Sequence, residues 1–565
     1  MDRRAVTDVL EQIASCLELE GENPFRVRAY RTAAEAIGGF SGDIAQGLES
    51  GALAELRGVG KGTLEVVRDL VTTGRSRQLD ELRQKVPAGL VEMLEIPGLG
   101  VTKVRLIRER LNITTVADLE AAATDGRLAA LPRFGQKTAE NVLKGIARLR
   151  RSSGALLLHD AVAAAELLAQ RVAALPGVTR VEIAGSVRRR LETARSVDLV
   201  ATGDVITAKA LVPHVAALEG ASDARAEGDR VAFALPDGAA GSVTVAAPGA
   251  FGVAWVEATG APEHWADLVA RAAGLGNALD LRGRFPDEES VYRAAGLPWI
   301  PPELREDRGE CEAAARGALP ALVTARDLKG LLHCHSTWSD GNVSVADWSA
   351  AARAAGYQWI GLTDHSAAAA YAGGMGADDV PRQHAEIDAV NAGGGGARIL
   401  KGIEADILGD GRLDYGPQVL DRFDFVIGSI HSRFTMTKEE MTARVVAALD
   451  DPHLTILGHP TGRILLGREP YALDVDTVLA RAALRGVAIE INGDPHRLDL
   501  DWRKVMEARA AGILVAIGSD THSLAGIQNV DFGLAQARKA WLEARHVLNA
   551  LSADAFLAFA RRRRG

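Results

Sequence analysis

Cysteine is scarce: Cys16, Cys311 and Cys334 are the only three in 565 residues. So few cannot build a disulfide framework, which points to a reducing cytoplasm. Long hydrophobic runs are missing too; none approaches the ~18 apolar residues that a membrane span requires. The opening stretch, MDRRAVTDVLEQIASCLELEG, scatters acids through its length and lacks an apolar core. It does not read as a secretory signal. There is no excess of positive charge either. A net charge of −9 excludes a protein that coats nucleic acid electrostatically. That charge is uneven, since residues 1–150 hold 22 Lys+Arg against 21 Asp+Glu, leaving −10 for the rest. Any contact with DNA must therefore be local. What remains is the 47% hydrophobic, 25% charged composition of a soluble globular protein, long enough for three or four domains.

Three turns share one pattern: LRGVGKGT from Leu56, IPGLGVTK from Ile96 and LPRFGQKT from Leu131. Glycines let a turn's backbone approach a ligand, and the amides opening the next helix point at it. Such a nest binds phosphate oxygens without reading bases. The expected DNA-binding residues are Gly58, Gly60, Lys61, Gly98, Gly100, Lys103, Gly135 and Lys137. The third copy carries Arg133 where the first glycine belongs. The pattern resembles the helix-hairpin-helix motif of DNA repair proteins. GENPFRVRAYRTAA, in the same region, resembles the small lyase domain of family X DNA polymerases. In lyase-active members a Schiff-base lysine follows the first hairpin. Here that position is Val66, and the nearest amine, Lys61, sits in the turn. The departure argues against lyase chemistry.

From about residue 155 the pattern becomes α+β. TRVEIAGS leads into GSVRRRLETARSVDLVATGD, and RVAFALPDGAAGSVTVAA reads as a hairpin turning at Pro-Asp-Gly. The stretch resembles the palm of bacterial family X DNA polymerases. That family places Gly-Ser, an arginine-rich turn, Asp-x-Asp on one strand and a third Asp after the hairpin. Gly185, Ser186, Arg188, Arg189 and Asp198 match, and the first four imply a nucleotide- or phosphate-binding corner. Asp198 is the remnant catalytic acid; Ser196 and Ser242 stand where the other two acids belong. The FG at Phe251 and TGAPEH at Thr259 fix that register, and LPWIPPELREDRGE from Leu297 is typical of the thumb. Serine is a poor Mg²⁺ ligand, so Mg²⁺ binding and polymerase activity are expected to be lost. Asp237 is the nearest spare acid, but it belongs to the hairpin turn.

After Asp327, apolar strands alternate with helix-like stretches, as in a parallel, closed barrel. The strand ends carry His333, His335, His365, Glu404, His431, His459, Asp520 and His522, with Asp340 in a loop. Active groups of such barrels sit at the carboxyl ends of strands. Six of the chain's 13 histidines fall in this set. So many facing imidazoles and carboxylates are costly unless they surround cations, and nine ligands can hold three. The mixed donors suit Mn²⁺, Zn²⁺ or Fe. HCHSTWSDG, TDHS, GIEADIL, GSIHS, GHPTGR and GSDTHS resemble the polymerase-and-histidinol-phosphatase (PHP) domain, a trinuclear-metal phosphoesterase. The resemblance implies that all nine residues are metal ligands, with Mn²⁺ the first choice. Arg433 and Arg463 follow two ligands and could bind a phosphate. Cys334 faces away as a small core residue, and the terminal RRRRG reads as a solvated tail.

The expected architecture is multidomain. Residues 1–80 form a lyase-like all-α helix-hairpin-helix domain and 81–153 a fingers-like region with further hairpins. An α+β nucleotidyltransferase-like palm spans 154–285, a thumb 286–326, and a distorted α/β (β/α)7 PHP barrel 327–565. The barrel alone, 327–565, is expected to retain hydrolysis of a small phosphodiester. The expected function is metal-dependent 3′–5′ exonuclease action on DNA with gaps or free 3′ ends, by a monomeric, membrane-free, cytoplasmic (nucleoid-associated) protein. Rival readings are a gap-filling polymerase with proofreading, a non-catalytic DNA-end scaffold and a small-ester phosphatase.

Overall fold

The computed structural model describes the chain except residues 1–2, 39, 41–43, 204–205, 219, 236–237, 280–284 and 565. Asp237, the spare acid of the palm hairpin, thus lies outside the described residues. The chain divides into two units, Met1–Ser153 and Gly154–Gly565.

Among its described residues the first unit is entirely helical. In the helix Arg3–Leu19, Val6, Leu10, Ile13 and Leu17 recur at helical spacing and are all buried. That apolar stripe faces a core. It packs on the helices Pro24–Gly38, Lys61–Thr73, Arg77–Lys85 and Val101–Leu111. The segments expected separately as 1–80 and 81–153 therefore share one core. Val66, at the lyase lysine position, is buried in it.

The second unit begins with a five-stranded sheet. Its strands are β1 (Val178–Ile183), β2 (Ser196–Gly203), β3 (Ser222–Glu227), β4 (Arg230–Ala234) and β5 (Ala240–Ala246), in the order β1-β2-β5-β4-β3. Only β2 and β5 pair in parallel. Alternation along β2 sends Val197, Leu199 and Ala201 into a core shared with the helix Leu158–Ala173. Val200, on the other face, packs with Phe251 and Ala254 of the helix Phe251–Thr259. Ser196 and Asp198 share that second face.

Seven further strands follow: β6 (Gly330–Cys334), β7 (Trp359–Leu362), β8 (Arg398–Asp406), β9 (Phe425–Ser429), β10 (Leu454–Leu457), β11 (Ala488–Asn492) and β12 (Val515–Thr521). They close into a wholly parallel barrel in the order β8-β9-β10-β11-β12-β6-β7. Their runs are apolar without alternation because both faces are covered. The last helix, Ala553–Arg561, plugs the amino end of the barrel with Phe556, Leu557 and Ala560. The terminal arginines are not a solvated tail. Arg562, Arg563 and Arg564 donate to the carbonyls of Gly486, Leu454, Leu449 and Phe423, and Arg561 pairs with Asp424. These carbonyls lie at helix ends (Leu449, Gly486) and at or just before strand starts (Leu454, Phe423).

Palm, thumb and barrel are stitched together by buried charge. Lys539 is inaccessible, and its Nζ donates to Glu306 Oε1 at 2.7 Å and the Arg189 carbonyl at 3.0 Å. Arg538 reaches Glu303 at 2.7 Å, and Arg463 reaches Glu192 at 2.9 Å. Excising 327–565 would strip Lys539 of Glu306 and Arg463 of Glu192 and uncover the surface they share with palm and thumb.

Candidate metal centre

The carboxyl ends of six barrel strands converge, and the structure gathers all nine residues singled out from sequence. β6 carries His333 and leads into His335; β8 carries Glu404; β12 carries Asp520 and leads into His522. His365, His431 and His459 follow β7, β9 and β10, and Asp340 comes from the loop after β6. Ligand atoms lie within 4.8 Å of one another in four overlapping groups. These are His335–Asp340–His365–His522, His333–Glu404–His459, His333–His335–Asp520 and His365–Glu404–His431. Glu404 is the hub, with its oxygens 2.8 Å from His365 Nδ1, 2.9 Å from His459 Nε2, 3.3 Å from His333 Nε2 and 3.4 Å from His431 Nε2.

Backbone irregularity aims these side chains. His333, His459 and Asp520 have φ of 62°, 21° and 48°, a region rare for residues with a Cβ. The register of β6 shifts at His333 against both neighbours, as a bulge does when it redirects a side chain. Acids behind the centre orient the rings. His333 Nδ1 lies 2.5 Å from Glu490 Oε1, whose other oxygen accepts the His459 amide at 2.7 Å. His431 Nδ1 lies 2.7 Å from Asp406, and the Asn492 amide donates to Asp520 at 2.9 Å. Such partners fix which ring nitrogen faces inward.

The electrostatics call for cations. His333 Nε2, both His335 nitrogens, His365 Nδ1 and Glu404 Oε2 are buried without a hydrogen bond. Polar atoms are seldom left so, and a mixed imidazole and carboxylate set is a suitable divalent-metal environment. Burial opposes charge on His431, but Glu404 and Asp406 push it up to about 10. Burial, helped by His522, drives His335 down to about 3. Burial also opposes charge on Glu404, yet His365, His431 and His333 hold it well below the usual carboxylate range. Of these three groups only His431 is shifted toward holding an extra proton, which a metal ion at its ring would displace.

Of the two flanking arginines, only Arg463 departs from expectation. Arg463 is consumed by Glu192, Asp501 and the carbonyls of Arg497 and Leu498, so it holds loops instead of a phosphate. Arg433 is exposed, with its guanidinium over Gly409. Sequence reasoning missed Arg497, whose Nε lies 3.5 Å from Asp520 Oδ2. It also missed Glu490, Asp406, Asn492 and Tyr371. The signal for Glu490 was a lone acid inside an apolar strand; Arg497 and Tyr371 stand in loops without periodicity. Cys334 is buried with Sγ 3.4 Å from Ser519 Oγ, as a core residue would be.

In the palm, register sets Asp198 directly beside Ser242. Ser196 Oγ donates to Asp198 Oδ2 at 2.5 Å, and Ser242 Oγ to Oδ1 at 2.6 Å. Arg230 also reaches Oδ1, at 3.2 Å. Gly185 is required there, because its φ is 66° and a Cβ would meet Asp198 Oδ2 at 2.6 Å. Gly185 and Ser186 open the four-residue helix Gly185–Arg188. Arg188 and Arg189 are not open to phosphate. Arg188 forks onto Glu288 and stacks on Trp255, while Arg189 pairs with Glu306 and the Thr259 carbonyl. They brace palm against thumb. A further buried group, His264–Glu310–Cys311, is closed by Tyr292 and by the amides of Asp307 and Arg308, and so acts as a thumb strut.

In the first unit, Gly60, Gly100 and Gly135 cap the helices Lys61–Thr73, Val101–Leu111 and Gln136–Ser152. Gly58 and Gly98 have φ of 96° and 84°, and Arg133 takes the equivalent turn position with φ of 69°. The three turns agree at this position, but the third departs at its cap, where Gly135 has a φ of 113° and Gly60 and Gly100 are extended with negative φ. Open space lies over Gly60, Gly98, Gly100 and Gly135, and Lys61 and Lys137 are exposed. Lys103 instead donates to the Gly98 carbonyl at 2.7 Å.

Comparison with known proteins matches residues 1–76 to a helix-hairpin-helix domain, 90–148 to a SAM-like helix-hairpin-helix tandem and 332–493 to the PHP domain. Asp520 and His522 lie beyond the last match. The DNA polymerase/3′-5′ exonuclease PolX of Bacillus subtilis is 32% identical over 576 residues, covering all of both chains. A probable phosphatase of Caldanaerobacter subterraneus is 32% identical over 137 residues, 22% of this chain and 52% of the relative. One of Shewanella sediminis is 28% identical over 246 residues, 41% of this chain and 93% of the relative.

Proposed function

The chain belongs to the bacterial family X DNA polymerases that carry a PHP domain, and from that premise we propose that it acts mainly as a metal-dependent 3′–5′ exonuclease on DNA, in repair, without gap filling. The observation that carries this reading is the nine-residue centre with its buried, unbonded donors. His333, His335, Asp340, His365, Glu404, His431, His459, Asp520 and His522 would hold three divalent ions, with Mn²⁺ the first candidate. Such ions, when bound, polarise a phosphodiester and make a nucleophile available at neutral pH. The chain's own residues do the rest. Glu490 and Asp406 orient imidazoles, Asn492 and Arg497 hold the Asp520 carboxylate, and Arg497 brings a guanidinium to a site for anionic substrate. The turns at Gly58–Lys61, Gly98–Gly100 and Gly135–Lys137 would hold the DNA backbone at gaps and 3′ ends. Loss of polymerase action is supported by Asp198, whose two oxygens are occupied by serine hydroxyls and Arg230. The setting proposed is the cytoplasm, around the nucleoid.

The similarity of the barrel to probable phosphatases favours a second reading, hydrolysis of a small phosphate ester. The test is a gel assay on 3′- and 5′-labelled DNA beside metal analysis. Release of nucleotides from the 3′ end, abolished by chelation and by Asp520→Asn or His333→Ala with a fall in bound metal, is expected. Undiminished degradation by either purified variant would sink the assignment.

A further inference from the structure

Two side chains at the mouth of the centre have chemistry that metal binding alone does not use. Tyr371 stands on the single turn Ala370–Ala372, in the loop after β7, and is 72% exposed. Its ring centroid lies 6.2 Å from the rings of both His365 and His431, inclined at 56° and 73°. The phenol therefore borders the centre while most of its surface meets solvent. The loop that carries it is pinned. The Met375 amide donates to the His365 carbonyl at 2.8 Å, and Ala372 and Gly374 both donate to the Ala369 carbonyl. The Tyr415 hydroxyl donates to the Met375 carbonyl. A Cβ at Gly374 would meet the Ser366 carbonyl oxygen at 1.9 Å, so the chain is as tight as it can be there. A ring held open by such a loop is preorganised for a planar ligand. Arg497 faces the same centre from the loop after β11, among Asp520, Asp494, Asp499 and Glu404.

An enzyme that removes nucleotides one at a time from a 3′ end must seat the terminal base whatever its identity. Stacking does this, because every base has a π-face, whereas hydrogen bonds to base edges would discriminate. A small-ester phosphatase needs no such platform. We propose that Tyr371 stacks on the 3′-terminal base while the Arg497 guanidinium holds the phosphate linking that nucleotide to the next. This deepens the nuclease reading and rests on it.

The test uses the full chain and two oligonucleotides, one ending in a normal 3′ nucleotide and one in an abasic tetrahydrofuran residue. With wild type and Tyr371→Phe, kcat/KM should favour the normal end by roughly tenfold, the size of one stacked base. With Tyr371→Ala that ratio should fall to about one. Independently of hydrolysis, the chelator-treated wild type and Tyr371→Phe should quench 2-aminopurine placed at the 3′ terminus, and Tyr371→Ala should not. Retention of either the ratio or the quench by Tyr371→Ala overturns the proposal, as does a wild type that attacks both ends equally or leaves the fluorophore unquenched. A wild type that hydrolyses neither oligonucleotide overturns the nuclease reading and this proposal with it.

Discussion

At the scale of single residues, neighbours decide what a carboxylate can do. Asp198 accepts from Ser196, Ser242 and Arg230, so a metal would compete with three donors for this one carboxylate and find no second acid beside it on Ser196 or Ser242. Single-nucleotide extension on a gapped duplex, with Mg²⁺ or Mn²⁺ in an Asp520→Asn background, should therefore be undetectable. Robust extension would show that the palm finds its acids elsewhere. Glu288 is the contrasting case. It is almost fully buried, yet it accepts from Arg188, Arg305 and the Trp299 indole. Burial opposes its ionisation, but the two guanidiniums pull it down to about 2. A folded value below the unfolded one stabilises at pH above the unfolded value, near 4.5, and that stability is lost as pH falls toward 2. Glu288→Gln should cost about 3 kcal/mol at neutral pH, as expected for two buried guanidiniums losing their partner. Its urea midpoint should also depend less on pH between 5 and 2 than the wild type's. Parallel pH profiles would show that the pair contributes nothing specific.

Among the elements, strands and loops divided the work unequally. Runs such as GLLHC and FVIGS are buried throughout, so their sequence announced parallel strands, and the residues at their ends were legible as one constellation. The loops carrying Tyr371 and Arg497 have no period and gave no signal. The same limit hid the links between barrel, palm and thumb, because Lys539 and Arg463 look like ordinary surface cations in a sequence. Residues 154–565 should therefore express as a folded, monodisperse protein. The fragment 327–565 should aggregate or lack a cooperative thermal transition by circular dichroism. A cooperative, active 327–565 would show that those buried pairs are dispensable.

For the whole molecule, the division after Ser153 separates a nearly neutral helical unit from a strongly acidic one. An acidic unit repels a polyanion, so affinity for DNA must come chiefly from the amide nests and lysines of the first unit. Removing residues 1–153 should weaken binding of a gapped duplex at least tenfold and flatten the plot of log affinity against log salt, because fewer counterions are released. Anisotropy titrations at several salt concentrations measure both. Equal affinity for the full chain and 154–565 would show that the hairpins do not hold DNA.

The sequence by itself determined the helical hairpins, the barrel and the nine residues at its mouth. Each is written in local periodicity or in residue types too costly to assemble without a purpose. It also exposed the missing acids, since a hydroxyl in place of a carboxylate needs no coordinates to notice. Only the tertiary structure decided which arginines are spent. Arg188, Arg189 and Arg463 look like phosphate ligands in the chain, but they are paired with Glu288, Glu306 and Glu192, 100, 117 and 271 residues away. The physical reason is that a guanidinium's role depends on the nearest carboxylate in space, and chain order does not encode that distance.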